Sequence, residues 1–318
     1  MTTLGRNGGR SITSLSDQQR EAILTYCKIA AVSGALLSLK DLAELLPIDA
    51  NEEELERSIS SDQLLSSKVI IDSGRVMLRR EGSDQGMARR EAEEADKRKT
   101  RAIANVEAGR TFARLLNRGA VFMGVAGTNS YLSAAEHDDI DFYCITKTDG
   151  MWVFMLKSLV LSRVISLIRR SDPPFCFSFV LDERQANKEV SSPRGALYAR
   201  DTLTAMVISG GSAYHAILEN ASWMRSYFPK VYARRLEEVP GSPAPQPSTR
   251  KGSRVINSWL FLTLGSYVSL RAWVLNRRLA KRRKFDATFR TLIGPGQLEY
   301  VSRRYTELGK MYQQLEKR

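Results

Sequence analysis

The stretch "GVAGTNSYLSAAEHDDIDFYCIT", residues 124–146, decides the fold because it joins two apolar runs through a polar turn. The first run ends at Gly127-Thr128, and the second opens with two aspartates, Asp139 and Asp141. In a β-strand, residues i and i+2 point to the same face, so both aspartates project together while the residue between them faces the core. Neighbouring carboxylates repel each other unless a cation lies between them. The stretch therefore predicts a cation site at a sheet edge.

Magnesium is the cation that this pattern favours, since Mg²⁺ takes one or two carboxylates and completes its shell with water and substrate phosphates. Gly127 would let the backbone approach a phosphate closely. The hydroxyl of Thr128 can donate to the same phosphate. Together the turn and the aspartates predict a site that orients and neutralises a nucleoside triphosphate. The plain alternative is an exposed strand edge beside an ordinary turn.

The stretch has an apolar strand, then a Gly-Thr turn, then Asp-x-Asp at the start of a second apolar strand. This pattern, with Gly-Ser or Gly-Thr at the turn, resembles the nucleotidyltransferase superfamily, which includes DNA polymerase beta and the minimal nucleotidyltransferases. The resemblance implies that Gly127 and Thr128 bind the nucleotide phosphates. It implies that Asp139 and Asp141 are catalytic and hold Mg²⁺, with Mn²⁺ as the alternative ion. The implied reaction moves a nucleoside monophosphate from an NTP to a hydroxyl of RNA, protein or a small molecule. Over residues 17–237 the order of segments also resembles a group of prokaryotic nucleotidyltransferase-domain proteins.

In that family a third carboxylate on a later strand completes the metal site. The later strand here is "FCFSFVL", residues 175–181, and it has Ser178 where an acidic residue is expected. Asp182 and Glu183, at the strand's end, are the candidate third carboxylates. Without one, activation of an attacking hydroxyl weakens. A non-catalytic nucleotide-binding or regulatory module with a degenerate active site is therefore the alternative function. A metal-dependent glycosyltransferase also uses Asp-x-Asp, but too few strands precede the motif.

The pattern along the chain predicts an α+β or α/β fold: a small mixed sheet flanked by helices, with a winged-helix-like module before it and a helical region after it. The module is indicated by three helices and then a hairpin at 68–78. Its third helix begins Glu52-Glu53-Glu54, which would repel DNA phosphates and favours packing or protein contacts. The predicted segments are a disordered tail at 1–16, the winged-helix-like module at 17–82, a connecting helix at 83–118, a nucleotidyltransferase-like core at 119–238, a linker at 239–254 and the helical C-terminal region at 255–318.

A formal net charge of +13 favours polyanionic partners. NTP is the expected partner, and nucleic acid is among the acceptor candidates through the basic surface. Two apolar stretches, 151–168 and 259–275, each carry charged residues and fall short of the roughly twenty apolar residues that span a bilayer. They are predicted to be buried helices, and no membrane span is expected.

The three cysteines, Cys27, Cys144 and Cys176, lack the spacing of a zinc site. They are predicted to be small buried hydrophobic residues. Their number fits a reducing cytoplasm.

Overall fold

A computed structural model describes residues 15–35, 37–48, 50–79, 85–116, 119–168, 173–239, 253–283 and 287–316. Most of the predicted tail at 1–16 and of the predicted linker at 239–254 lies outside these ranges. The chain divides into an N-terminal unit, Met1–Ala92, and a C-terminal unit, Glu93–Lys317. Helices and two small sheets together confirm a mixed α and β class.

The N-terminal unit combines four helices with a three-stranded antiparallel sheet in the order β1-β3-β2. Its elements are α1 (Asp17–Ser33), β1 (Leu37–Ser38), α2 (Leu39–Leu45), α3 (Glu52–Ser61), α4 (Gln63–Lys68), β2 (Val69–Asp72) and β3 (Arg75–Leu78). The sequence predicts one helix over 50–67, but the structure divides it at Asp62. The carboxylate of Asp62 caps α4 by accepting the backbone N–H groups of Leu64 and Leu65. It also pairs with Arg20 at 2.5 Å, and this hydrogen bond lowers the pKa of Asp62.

The C-terminal unit is built around a six-stranded mixed sheet, and the long helix α5 (Gln85–Leu116) contains the boundary between the units. The strands are β4 (Ala120–Val125), β5 (Ile140–Thr146), β6 (Phe175–Asp182), β7 (Met206–Ser209), β8 (Phe289–Gly294) and β9 (Gln297–Ser302). The helices are α6 (Gly127–Ser130), α7 (Met151–Ile168), α8 (Glu183–Val190), α9 (Ala196–Thr204), α10 (Gly211–Asn220), α11 (Pro229–Glu238), α12 (Arg254–Leu260), α13 (Ser266–Lys281) and α14 (Arg303–Glu316). A 3₁₀ turn (Ser222–Ser226) precedes α11, and a π-helical turn (Phe261–Gly265) joins α12 to α13.

The strands of the large sheet lie in the order β7-β4-β5-β6-β9-β8. The strands β5 and β6 run parallel, with α7 between them in the chain, while every other pair is antiparallel. The C-terminal hairpin β8–β9 joins this sheet through β6, so the prediction of a helical region at 255–318 holds for α12, α13 and α14 but is wrong at 289–302. The sequence also predicts a helix near 198–209, but the helix in the structure ends at Thr204 and β7 occupies residues 206–209.

The side chains of β5 alternate between the two faces of the sheet, as its sequence predicts. Ile140, Phe142 and Cys144 are fully buried in the apolar core. Phe142 contacts Phe112 of α5 with ring centroids 5.5 Å apart. The intervening side chain of Asp141 therefore points to the opposite face, and the core fixes this orientation.

Two buried polar side chains join α7, α12 and the turn of the β8–β9 hairpin. Asn257 accepts the backbone N–H of Trp152 at 2.8 Å and donates to the carbonyl of Pro295 at 3.1 Å. The indole N–H of Trp152 donates to the carbonyl of Gly294 at 3.0 Å. These bonds satisfy groups that would otherwise be buried without partners, so the three elements form one assembly.

The two apolar stretches do form helices, but the prediction that they are buried holds for only one side of each. Among the described helices, α7 alone has the length and composition that a membrane-spanning helix needs, and 28% of it is buried. Core helices of soluble proteins can have the same length and composition. In α12 and α13, Leu260, Val268 and Ala272 are buried while Trp259 and Trp273 are exposed.

Candidate functional site

The end of β4 brings Gly127 directly against Asp141. The backbone N–H of Ala126 donates to the carbonyl of Asp141 at 2.9 Å, which continues the pairing of the two strands. Gly127 has a φ of +64°, and a Cβ at this position would lie 2.8 Å from Oδ2 of Asp141. A side chain is thus excluded both by the backbone conformation and by the carboxylate. The structure brings together the glycine and the aspartate that the sequence singles out.

The hydroxyl of Thr128 has a different partner from the predicted phosphate. It donates to Oδ2 of Asp138 at 2.8 Å, and the same oxygen accepts the backbone N–H of Ala135 at 2.8 Å. This hydrogen bond therefore stabilises the loop between α6 and β5. Asn129, which is buried, supports the same loop by donating to the carbonyl of Asp139 at 2.8 Å.

Asp139, Asp141 and Cys176 form a compact cluster whose candidate ligand atoms lie within 4.8 Å of one another. Cys176 is directly opposite Asp141 in the parallel register of β5 and β6. The prediction that Cys176 is only a buried hydrophobic residue is therefore incomplete, because its thiol contacts both carboxylates. Burial and the two carboxylates raise the pKa of this thiol well above its usual value.

Burial dominates the electrostatics of the two aspartates. It raises the pKa of Asp139, and burial together with the charge of Asp139 raises the pKa of Asp141 to about 7. Hydrogen bonds from Ser178 and Cys176 offset only part of this effect at Asp141. No lysine or arginine in the described ranges pairs with either carboxylate. Two half-buried carboxylates without a cation fit a positively charged ligand, which would remove their repulsion.

Asp182 and Glu183 do not complete this cluster. Asp182 pairs with Thr146 at the far end of β6, six residues beyond Cys176 and thus roughly 20 Å away along the strand. Its carboxylate caps α8 by accepting the backbone N–H of Gln185 at 2.8 Å. Glu183 accepts the backbone N–H of Thr148 at 3.2 Å. Both carboxylates therefore form hydrogen bonds near the far end of β6, and neither is the predicted third carboxylate of the cluster.

The carboxylate pair lines a cavity of about 720 Å³, a volume typical of small-molecule sites. The cavity exists because β9 pairs with β6 only from Phe179 to Leu181. Earlier residues of β6 and later residues of β9 line its walls instead of bonding to each other. One part of the wall is polar and includes Asp139, Asp141, Ser178, Asp201 and Glu299; another part is apolar and includes Met155, Leu159, Phe175, Val268, Leu275 and Phe289.

Two further carboxylates in the cavity wall already have partners. Glu299 forms an ion pair with Arg194 at 3.3 Å. Asp201 accepts the hydroxyl proton of Tyr131 and is also hydrogen bonded to Tyr305. Unlike Glu299, neither Asp139 nor Asp141 has an ion-pair partner among the described residues, and the hydrogen bonds to Asp141 come from the neutral side chains of Ser178 and Cys176.

Arg271 of α13 is the one cation among the described residues that line the cavity. Its side chain is exposed, so it lies at the solvent side of the wall. Sequence reasoning missed Arg271, Asp201 and Glu299, since each reaches the cavity from an element distant in the chain. Only Cys176 carried a local signal, because it alternates with Ser178 on a strand already predicted to neighbour the aspartates.

Comparisons with known proteins add no assignment. No protein-family model, no curated protein and no solved structure matches this chain.

Proposed function

We propose that the C-terminal unit is a nucleotidyltransferase that depends on Mg²⁺ or Mn²⁺ and transfers a nucleoside monophosphate from an NTP to a hydroxyl acceptor. The observation that carries this proposal is the pair Asp139 and Asp141: half-buried, without a cationic partner among the described residues, beside Gly127 and open to a cavity of about 720 Å³. The adjacency of β4, β5 and β6 supports it. In the family that the sequence resembles, the phosphate-binding turn, the Asp-x-Asp strand and the strand with the third carboxylate contribute to one site.

Each residue has a definite role in this reaction. Asp139 and Asp141 would hold the cation, which supplies neutralisation of the triphosphate and activation of the attacking hydroxyl. Oxygen donors suit Mg²⁺ and Mn²⁺, whereas the sulfur of Cys176 is a soft donor and does not favour them. Gly127 leaves room for a phosphate beside the backbone. Arg271 supplies positive charge at the solvent side of the same cavity.

In the proposed reaction the acceptor oxygen bonds to the α-phosphorus of the NTP. The bond between that phosphorus and the bridging oxygen of the β-phosphate breaks, and pyrophosphate leaves with the electron pair. The acceptor loses its hydroxyl proton to solvent. The balance is one pyrophosphate released for each nucleoside monophosphate transferred.

A nucleotide-binding module without catalysis is the second candidate. Cys176 favours it, because this residue faces Asp141 in the register of β5 and β6. A thiol with a raised pKa cannot replace a carboxylate in binding a second hard cation. This candidate shares the nucleotide and metal site of the first and differs in lacking turnover.

For the N-terminal unit we infer a winged-helix-like module used for packing or protein contacts. The order of its helices and its antiparallel hairpin support the first part of this inference. Its third helix opens with Glu52, Glu53 and Glu54, of which the first two are exposed, and this acidic helix start supports the inference of packing or protein contacts.

Pyrophosphate release tests the enzyme proposal without knowledge of the acceptor. We expect the full chain, supplied with Mg²⁺ or Mn²⁺ and an extract of RNA and small molecules, to release pyrophosphate from at least one of the four NTPs. A chelator should abolish the release. Metal-dependent NTP binding by calorimetry without pyrophosphate would support the second candidate. Absence of both binding and release would overturn both candidates.

Replacing Cys176 with aspartate is expected to tighten Mg²⁺ binding about tenfold, because a third oxygen donor with negative charge joins the pair. Calorimetric titration of Mg²⁺ measures the change. Cys176→Asn is the matched control, since asparagine has nearly the same shape as aspartate without the charge. Equal Mg²⁺ affinity in the two variants would show that residue 176 does not face the cation.

A further inference from the structure

The outer side of α7 carries a stripe of exposed apolar side chains. They are Leu156, Val160, Val164 and Leu167, and the last is 73% exposed. The spacing of three and four residues places them on one face of the helix. The opposite face, with Met151, Phe154 and Met155, already packs into the core. The helix therefore has a second apolar face that no described residue covers.

The helix formed by α12, the π-helical turn and α13 repeats this arrangement. Its exposed apolar residues are Val255, Ile256, Trp259, Leu262, Tyr267, Leu270, Trp273 and Leu275. Trp259 is 63% exposed and Trp273 is 53% exposed. This helix packs on α7 through Asn257 and Trp152, and Trp152 also contacts Phe261 with ring centroids 5.6 Å apart. We call the exposed residues of α7, α12 and α13 together the apolar surface. Since α12 packs on α7, the exposed apolar side chains lie on neighbouring helices, and a large exposed apolar area of this kind marks an interaction site.

The charged side chains of the segments 151–168 and 253–283 are all of one sign. Residues 151–168 contain Lys157 and Arg163, and residues 253–283 contain seven further basic residues. Neither segment contains aspartate or glutamate, although the chain has 35 acidic residues. The seven are Arg254, Arg271, Arg277, Arg278, Lys281, Arg282 and Arg283, and all nine basic side chains are exposed. The partner of this surface must therefore be both apolar and anionic.

We propose that the apolar surface docks the C-terminal unit on the surface of an anionic lipid bilayer. Helices with tryptophan and leucine on one side and basic residues beside them lie in the interface, with the apolar side chains among the acyl chains and the cations at the headgroups. Trp259, Tyr267 and Trp273 are of the residue types that favour this depth. The helices lie on the bilayer and do not span it, because their inner faces pack into the core of the unit.

Charge argues against the two other occupants of such a surface. A symmetric dimer of this chain would place the basic residues of one copy against those of the other. Nucleic acid would satisfy the cations but would leave the stripes of leucine, valine and tryptophan without an apolar partner. An anionic bilayer satisfies both at once.

The apolar surface is continuous with the cavity, which gives docking a consequence for the site. Tyr267, Arg271 and Leu275 belong to α13 and also line the cavity. One wall of the cavity would thus stand next to the lipid. The docking proposal does not rest on the proposed reaction, because the exposed apolar side chains and the exclusively basic charges of these segments are observed independently of it.

Vesicle co-sedimentation of the full chain tests this proposal. We expect binding to phosphatidylcholine vesicles with about 30% phosphatidylglycerol, little binding to phosphatidylcholine alone, and release as salt rises. Tryptophan emission should shift to the blue on binding, because Trp259 and Trp273 leave water. Arg277→Gln/Arg278→Gln/Lys281→Gln should weaken binding about 100-fold, since each basic residue near an anionic surface contributes about fivefold. Trp259→Ala/Trp273→Ala should weaken it at least about tenfold and remove the blue shift.

Matched controls come from the exposed part of α5. Ile103→Ala/Leu115→Ala removes exposed apolar side chains, and Lys97→Gln/Lys99→Gln removes exposed charges. Both should bind vesicles as the unaltered chain does, and thermal melts should show all variants folded. Failure of the unaltered chain to bind anionic vesicles would overturn the proposal. Equal binding of all variants to the vesicles would also overturn it. So would a chain that does not bind vesicles but binds RNA, or one that does not bind vesicles but forms a dimer through Trp259 and Trp273.

Discussion

Asp141→Asn is expected to lower nucleotidyl transfer at least about 1,000-fold while raising the melting temperature of the metal-free protein. The loss follows because the cation supplies several kcal/mol of charge stabilisation to such a reaction, and one of its two carboxylate ligands would be neutral. Asparagine keeps the shape of aspartate, so the strand β5 and its buried neighbours need not move. The measurement is pyrophosphate release under saturating NTP and metal.

The rise in stability follows from the burial of the two carboxylates. In the absence of metal, burial and, after it, repulsion by Asp139 raise the pKa of Asp141 to about 7. A neutral side chain removes the repulsion, which we expect to stabilise the C-terminal unit by about 1 kcal/mol, roughly 3 °C. The melt is run at about pH 8 with a chelator present, so that the carboxylates of the unaltered chain are charged.

The two opposite effects separate a metal ligand from a structural residue. A carboxylate that only supported the fold would lower the melting temperature when neutralised. Glu136→Gln is the matched control, because it removes an exposed carboxylate from the same loop and should change neither quantity. Retained transfer in Asp141→Asn, or a lower metal-free melting temperature, would count against the proposed role of the pair.

The local part of the site could be predicted from the sequence, and the reason is periodicity. Alternation in β5 requires Asp139 and Asp141 to share the face opposite to Ile140 and Phe142, whatever the rest of the fold does. The glycine turn likewise follows from the chain entering β5 from β4, and Gly127 meets Asp141 as expected. These relations involve residues close in the chain, so a single strand pair is enough to establish them.

The remaining walls of the cavity depend on contacts that local patterns do not specify. Glu299 lies in a strand that pairs with β6, although most of the C-terminal unit separates the two in the sequence. The alternation in "QLEYVS" at 297–302 indicates a strand, but not which strand it joins. The helix α7 presents a related difficulty: it is apolar on nearly every side, so its sequence does not show which side meets the core. Its exposed stripe became visible only in the folded unit.

Gly210→Ala is expected to prevent stable folding of the C-terminal unit, with a loss of more than about 4 kcal/mol. Gly210 precedes α10 with a φ of +77°, which alone costs an alanine roughly 1 kcal/mol. The larger cost is steric, since a Cβ there would lie 1.9 Å from the carbonyl oxygen of Val121 and 2.8 Å from the Cα of Phe122. Both obstacles are backbone of β4, which is held between β5 and β7 and cannot yield as a flexible side chain does.

Urea denaturation followed by tryptophan fluorescence measures this loss, because all four tryptophans of the chain lie in the C-terminal unit. Gly294→Ala is the matched control in the same unit: no atom lies within 4 Å of a Cβ there, and its φ is not positive. We expect that variant to stay within about 1 kcal/mol of the unaltered chain. A soluble Gly210→Ala protein with an unchanged urea midpoint would mean that β4 does not pass against this turn. Gly127 follows β4 directly, so its position beside Asp141 depends on the position of β4. The same result would therefore also contradict the contact between Gly127 and Asp141.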